Sequence, residues 1–387
     1  MKRIFSIDIT RGIIMIIMAL DHVRDLMHVN ALSQNPTNMA TTTPVLFFTR
    51  WITHLCAPTF VFLAGTSVYL SLKNNNDIAK TRKFLLSRGL WLLLVEFTFV
   101  NFGMFFDIRF QFLIFEVIAA IGTSFIILSL LLKFSYKTIG IIGLIIIFSH
   151  DLWPLIPFAE GSMAKTILTP FFVRTALPLF AKHITFVGYP PIPWLGIMMV
   201  GFATGKLFEL PEAVRKKIFF KIGAGALLLF VLLRFINIYG DPVLWSAQKT
   251  PIYTFLSFMN VSKYPPSLLF SLATLGFTFL ILGAVEQVKN KITDTAIIYG
   301  RVPLFYFVLH FYFIHILLLI VLLLQGFHWA NLDFSLTNFG RPKGVESGVP
   351  LWAVYLIWMG VVTVFYWPCK WFGQYKAKHK YWWLSYL

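Results

Sequence analysis

The chain has 387 residues, of which 58% are apolar and 13% charged, and its mean hydropathy is +0.76. Soluble domains run at roughly 45–50% apolar and about 25% charged, so this composition belongs in a bilayer and excludes an ordinary soluble enzyme. The formal net charge of +17 would suit a nucleic-acid binder, but the basic residues fall in short clusters between apolar runs, the pattern of membrane topology, and nucleic acid is not an expected partner.

The opening Met1-Lys-Arg-Ile-Phe has the start of a signal peptide, but Asp8 and Arg11 interrupt its apolar run and Asp21-His22 stands where small residues would mark cleavage. It reads as a retained first span. With about 20 residues needed per crossing, spans are predicted near 7–28, 45–72, 84–105, 111–132, 138–152, 187–207, 218–237, 266–286, 302–325 and 350–369. Twenty-two of the 33 basic residues fall in loops or termini on one side, which puts both termini in the cytoplasm. The opposite connections, about 29–44, 153–186, 238–265 and 326–349, are long and rich in aromatic residues, which argues for order and function. Segment 164–182 is apolar enough for a re-entrant or interfacial helix. The fold class is an all-α integral membrane protein of the inner cell membrane, with about ten transmembrane helices in a single domain over residues 1–387. Cys56 and Cys369 have no metal-site spacing, and no disulfide is expected between them.

Ionisable side chains inside a span cost about 2.5–3.5 kcal/mol or more, so they persist when paired, solvated or functional. Span 1 carries Asp21, His22, Arg24, Asp25 and His28. Arg11 and His22 are eleven residues apart, which returns them to within about 20° on one face with a rise of about 16 Å. Asp25 is placed to touch His22, and Asp21 to pair with Arg24. The bland reading of this set is a self-neutralised, water-exposed helix end. On span 2, His54 lies about 13 Å from the outer boundary, near the depth of His22, so the two imidazoles are expected to share a cavity. Alone, His54 reads equally well as a hydrogen-bonded interhelical histidine. Pro58 frees a carbonyl one turn later, and Gly65 and Ser67 permit close packing. Glu96 and Glu116 sit inside spans 3 and 4 as structural acceptors, proton-handling groups or partners for a basic residue. His310 and His315 are five apart and do not share a face, and His150-Asp151 reads as a solvated pair. No phosphate loop, dinucleotide-binding glycine pattern or zinc motif is present.

Two stretches carry a resemblance. Ser6-Ile-Asp8-Ile-Thr-Arg11-Gly12 through Met18-Ala-Leu-Asp21-His22, together with Ala57-Pro58-Thr-Phe-Val-Phe-Leu-Ala-Gly65-Thr-Ser67, resembles the heparan-α-glucosaminide N-acetyltransferase family, in its bacterial branch. Arg88-Gly-Leu-Trp91 with Glu96, Pro193-Trp-Leu-Gly196, Tyr264-Pro-Pro-Ser267 and Gly300-Arg-Val-Pro-Leu304 leading to His310 also fit. The arginine and histidine of span 1 are similar to those of a broader group of membrane O-acyltransferases. The resemblance implies that acetyl-CoA is used from the cytoplasmic side as co-substrate, without a metal. Its acyl group passes to a hydroxyl or amine of a sugar or glycan at the far side. Arg11, Arg82, Lys83, Arg88 and Arg301 would then meet CoA phosphates, with His310 in the cofactor site. The animal lysosomal enzymes carry their proposed active histidine in a His-Ala-Ser-Trp-Asn-Gly-like context after span 1, which is absent here. They have an asparagine and an aspartate where this chain has His22 and His54.

The expected mechanism makes His22 the general base or a transient acyl carrier. Asp21 or Asp25 orients it, and His54 shares its proton or stabilises the oxyanion. The residues leave open the acceptor, the acyl length and the choice between direct transfer and an acyl-histidine, as well as whether the chain forms a homodimer. Two rival readings are a proton-coupled transporter or flippase, for which buried His and Asp would relay protons, and a non-catalytic scaffold, which leaves the buried charges unexplained.

Overall fold

A computed structural model describes residues 4–159, 161–178, 183–335 and 338–387. Lys2 and Arg3, counted above among the basic residues, lie outside them. The chain is an all-α integral membrane protein. Eight helical stretches among the described residues have the length and hydropathy to cross a bilayer: Pro44–Asn75, Ile78–Phe105, Tyr136–Leu155, Pro191–Glu209, Glu212–Ile236, Leu268–Val285, Pro303–Leu324 and Leu351–Lys378. Helix α1, Phe5–Met27, has the length too, at 23 residues, but carries Asp8, Arg11, Asp21, Arg24 and Asp25. Most of its surface is buried in protein, which is how those charges are kept from lipid.

The second expected span is two helices, α2 (Pro44–Thr53) and α3 (Cys56–Asn75). Thr43 starts α2 by accepting the amide of Leu46 at 3.3 Å, with Pro44 in the first turn. The break falls on His54 and Leu55, because Pro58 has no N–H for the carbonyl of His54.

Next come α4 (Ile78–Val95), a π-helical turn (Glu96–Val100) and α5 (Asn101–Phe105). The chain then departs from expectation. Residues 111–116 do not open the fourth helix. Phe112–Phe115 is strand β1, and α6 is Val117–Leu131. A short apolar run reads alike as strand or helix. Here the side chain of Asn101 decides it. Its amide donates to the carbonyl of Ile114 at 3.0 Å and accepts from the Ile114 amide at 2.8 Å, as a neighbouring strand would. Glu96 supports the next turn by accepting the amide of Ala119 at 3.0 Å at the start of α6, so it serves as a structural acceptor.

After α7 (Tyr136–Ser149) the expected interfacial helix at 164–182 is only α8 (Met163–Phe172), and its second half becomes β2 (Thr175–Pro178), with residues 179–182 outside the described ones. The partner segment Ile184-Thr-Phe-Val187, wholly β-branched or aromatic, favours a strand with which Thr175–Pro178 pairs. Strand β3 (Ile184–Val187) pairs parallel with β1 and antiparallel with β2. His150 and Asp151 are not solvated: His150 is buried, and Asp151 accepts the amide of Leu268 at 2.9 Å.

The remaining helices are α9 (Pro191–Thr204), α10 (Glu212–Ile236), α11 (Pro251–Met259), α12 (Leu268–Val285), α13 (Lys291–Gly300), α14 (Pro303–Leu324) and α15 (Leu351–Lys378). Long connections are ordered by buried arginines that satisfy loop carbonyls. Arg234 donates to the carbonyls of Val243, Ser257, Phe258 and Asn260, and Arg341 to those of His28 and Val29.

Helix α1 is the hub, packed against α2, α3, α12, α13, α14 and α15. Its crossing with α13 is backbone to backbone. A Cβ on Gly12 would fall 1.8 Å from the carbonyl oxygen of Ala296, and one on Gly300 would fall 1.9 Å from that of Asp8. This contact fixes the height of Arg11, which donates to the Ser67 hydroxyl at 3.1 Å and the Gly300 carbonyl at 3.4 Å.

Candidate active site

Two features lie along one face of α1. The first is a cavity of about 370 Å³ between α1, α3, α4, α6 and α14. Its polar lining is Arg11, Ser67, Ser71 and Arg88, and the rest is apolar, including Met15, Phe60, Ala64, Phe84 and Phe307. Arg88 faces it because Leu85 and Leu92, three residues before and four after, line it as well.

The second feature is a pair of histidines. Nδ1 of His22 lies 2.5 Å from Nε2 of His310 on α14. Nδ1 of His310 lies 3.0 Å from the carbonyl oxygen of Tyr306. A carbonyl only accepts, so Nδ1 of His310 carries the proton and donates. In the neutral ring Nε2 then accepts, and Nδ1 of His22 donates to it. That leaves the lone pair on Nε2 of His22, the atom a general base uses. The geometry is rigid. His22, His310 and Phe311 form a triangle of rings, with centroid distances of 4.8 Å from His22 to His310, 4.3 Å from His22 to Phe311 and 4.6 Å from His310 to Phe311, and Tyr306 stacks on His310 at 5.2 Å with an interplanar angle of 1°. Phe307 is common to both features: it lines the cavity and meets His22 edge-on at 6.2 Å.

The carboxylates expected to orient His22 bond elsewhere. Asp21 accepts from Arg24 at 2.7 Å, from Thr53 at 2.8 Å and from Arg50 at 2.6 Å. Asp25 accepts from Arg24 at 2.6 Å and leaves half of its side chain exposed. Two acids and two arginines thus neutralise one another, as the bland reading of this helix end has it, but Asp21 and Arg24 are buried and not water-exposed. The expected Asp21–Arg24 pair is present, and Arg50 and Thr53 complete it from α2.

His54 does not join His22. The helix break turns it toward α12, where its buried ring meets Phe270 edge-on at 5.4 Å. His315, one turn and a half beyond His310, meets the carbonyl of Gly103 at 3.2 Å. Of the basic residues expected at CoA phosphates, Arg11 and Arg88 line the cavity. Arg82, Lys83 and Arg301 are exposed and do not. Helical phase separates Arg82 and Lys83 from Arg88 by about 100° or more around α4. His310, expected in the cofactor site, stands instead as the partner of His22. Cys56 and Cys369 are both free and buried.

No curated protein matches the chain. One family does, and its match spans residues 3–236, which holds α1, the broken second span and every cavity wall except that from α14. The pattern is that of the heparan-alpha-glucosaminide N-acetyltransferase catalytic domain, and the chain belongs to that family of transmembrane acetyltransferases.

Proposed function

We propose that the chain transfers an acetyl group from acetyl-CoA to a hydroxyl or amine of a sugar or glycan across the inner cell membrane. The whole of residues 1–387 acts as one domain of about ten crossings. The eight helices above, α1 and α6 supply those crossings, both termini lie in the cytoplasm, and the long loops face outward. Lys and Arg crowd the loops at the Arg11 end of α1, which supports that orientation.

One observation carries the reading. The apolar cavity is lined by Arg11 and Arg88 and also by Phe307, the ring that meets His22 edge-on. Its two arginines suit phosphates, its apolar walls suit the pantetheine arm, and Phe307 links it to an imidazole with a free Nε2. In the chemistry proposed, Nε2 of His22 takes the proton from the acceptor as its oxygen or nitrogen bonds to the thioester carbon. The carbon–sulfur bond breaks, and the departing thiolate takes that proton back. His310 holds the ring and shares the transient positive charge. Asp21, Asp25 and His54 are left to the scaffold around them.

The test uses the purified full chain in detergent with acetyl-CoA and a panel of amino and neutral sugars, reading release of the CoA thiol. Turnover that survives His22→Ala in well-folded protein sinks the role of His22. Sugar flux in vesicles without acyl transfer would favour the transporter reading.

A further inference from the structure

The cavity is too apolar to hold a nucleotide. Beyond Arg11, Arg88 and two serines it offers nothing to three phosphates and an adenine ring. A second cavity of about 530 Å³ opens beside its mouth, and the two share Phe84. It lies in the size range of small-molecule sites. Its wall is the end of α15 and the segment that follows, including His379, Lys380, Tyr381 and Trp382.

Three contacts tie this segment to the mouth of the first cavity. Arg88 donates to the carbonyl of Ser385. The hydroxyls of Ser87 and Tyr386 lie 2.7 Å apart. Lys376 donates to the carbonyl oxygen of Leu387, which closes the segment back onto α15. The ring of His379 is fixed on Tyr375 at a centroid distance of 4.1 Å, and its Nδ1 lies 3.0 Å from the Tyr375 carbonyl. Tyr381, 52% exposed, is stacked with His379 at 5.5 Å and Trp383 at 6.1 Å, whereas Trp382 stays 78% exposed. Flat aromatic faces held open beside a lysine are the usual means of holding a base and its phosphates.

We propose that this groove binds the nucleotide end of a CoA thioester, a 3′-phosphorylated adenosine diphosphate. Adenine stacks on Trp382, Lys380 meets the 3′-phosphate, and Arg88 stands where the diphosphate passes into the cavity. The inference rests on the donor proposed above and adds a specificity site that lies outside the matched residues 3–236. The rival role for these rings is to anchor the chain end at the membrane surface.

Binding to the purified full chain in detergent, measured by calorimetry with CoA and with 4′-phosphopantetheine, tests the groove. Lys380→Ala combined with Trp382→Ala is expected to weaken CoA about tenfold, the size of one charge-assisted contact, and to leave 4′-phosphopantetheine unchanged. Unchanged CoA affinity would mean surface anchoring and overturn the groove. Equal loss of both ligands would overturn it as well, by locating the effect in the fold. Wild-type protein that binds 4′-phosphopantetheine as tightly as CoA would overturn the groove alone. Wild-type protein that binds neither would overturn the donor reading itself.

Discussion

His22 and His310 meet at 2.5 Å although 288 residues separate them in the chain. The contact joins the hub helix α1 to α14, beyond the segment that identifies the family. It fixes which nitrogen of His22 is free, since His310 is committed to the Tyr306 carbonyl. Replacing His22 by Ala is expected to lower turnover by about 10²–10⁴-fold, the usual contribution of a positioned acid–base group. His310→Ala should lower kcat less, leave the KM for acetyl-CoA in place, and shift the pH–rate profile. A purely structural His310 would lower the amount of folded protein without moving that profile.

The ion cluster of Asp21, Asp25, Arg24 and Arg50, with Asp21 and Arg24 buried at its centre, makes a different prediction. Asp21→Asn leaves two arginines without their shared carboxylate, and breaking a buried pair in this way costs about 3–5 kcal/mol. The expected result is a large drop in thermal stability in detergent, with residual turnover in the fraction that stays folded. Full stability with lost turnover would move Asp21 from the scaffold into the chemistry.

The crossing of α1 and α13 tolerates no side chain. Gly12→Ala places a Cβ against the Ala296 carbonyl, a backbone atom that cannot swing aside, and should cost more than the 1–3 kcal/mol typical of about one extra methyl in a core. Gly360→Ala on α15 meets nothing within 4 Å and serves as the control. Size-exclusion profiles after detergent extraction should separate the two, with Gly12→Ala aggregated and Gly360→Ala like the wild type.

The helical spans were legible because lipid leaves the backbone few choices, and a run of about 20 apolar residues announces itself. The failures have local causes. The strand at Phe112–Phe115 depends on the side chain of Asn101 eleven residues earlier, which no periodicity reports. The face shared by Arg11 and His22 followed from helix geometry alone. The partner of His22 did not, because an imidazole 288 residues away leaves no spacing to read. Asp25 was well placed by sequence to touch His22, yet Arg24 is closer in the chain and outbids an uncharged ring for a carboxylate. His54 has the right depth and the wrong azimuth, since the proline break reorients the end of α2.

Phe307 decides how long an acyl group the site accepts, if the cavity is the donor channel. Its ring lines the cavity and meets His22 edge-on, so the acyl carbon of a thioester bound there comes to rest against it on the way to the imidazole. Phe307 is 5% exposed, packed at 5.3 Å against Phe311, and has no room to retreat without moving the ring that stacks on His22. Phe307→Ala removes this stop. The ratio of kcat/KM for propionyl-CoA to that for acetyl-CoA should then rise by about 10–200-fold, the range one methylene commands in an apolar pocket. Turnover of acetyl-CoA itself should fall, because the same deletion loosens His22. The measurement is a competition between the two thioesters on one preparation, so that folding losses cancel in the ratio. A ratio that stays at the wild-type value while total activity drops would mean that the acyl chain never reaches Phe307, and that the route from Arg11 to His22 runs outside this cavity.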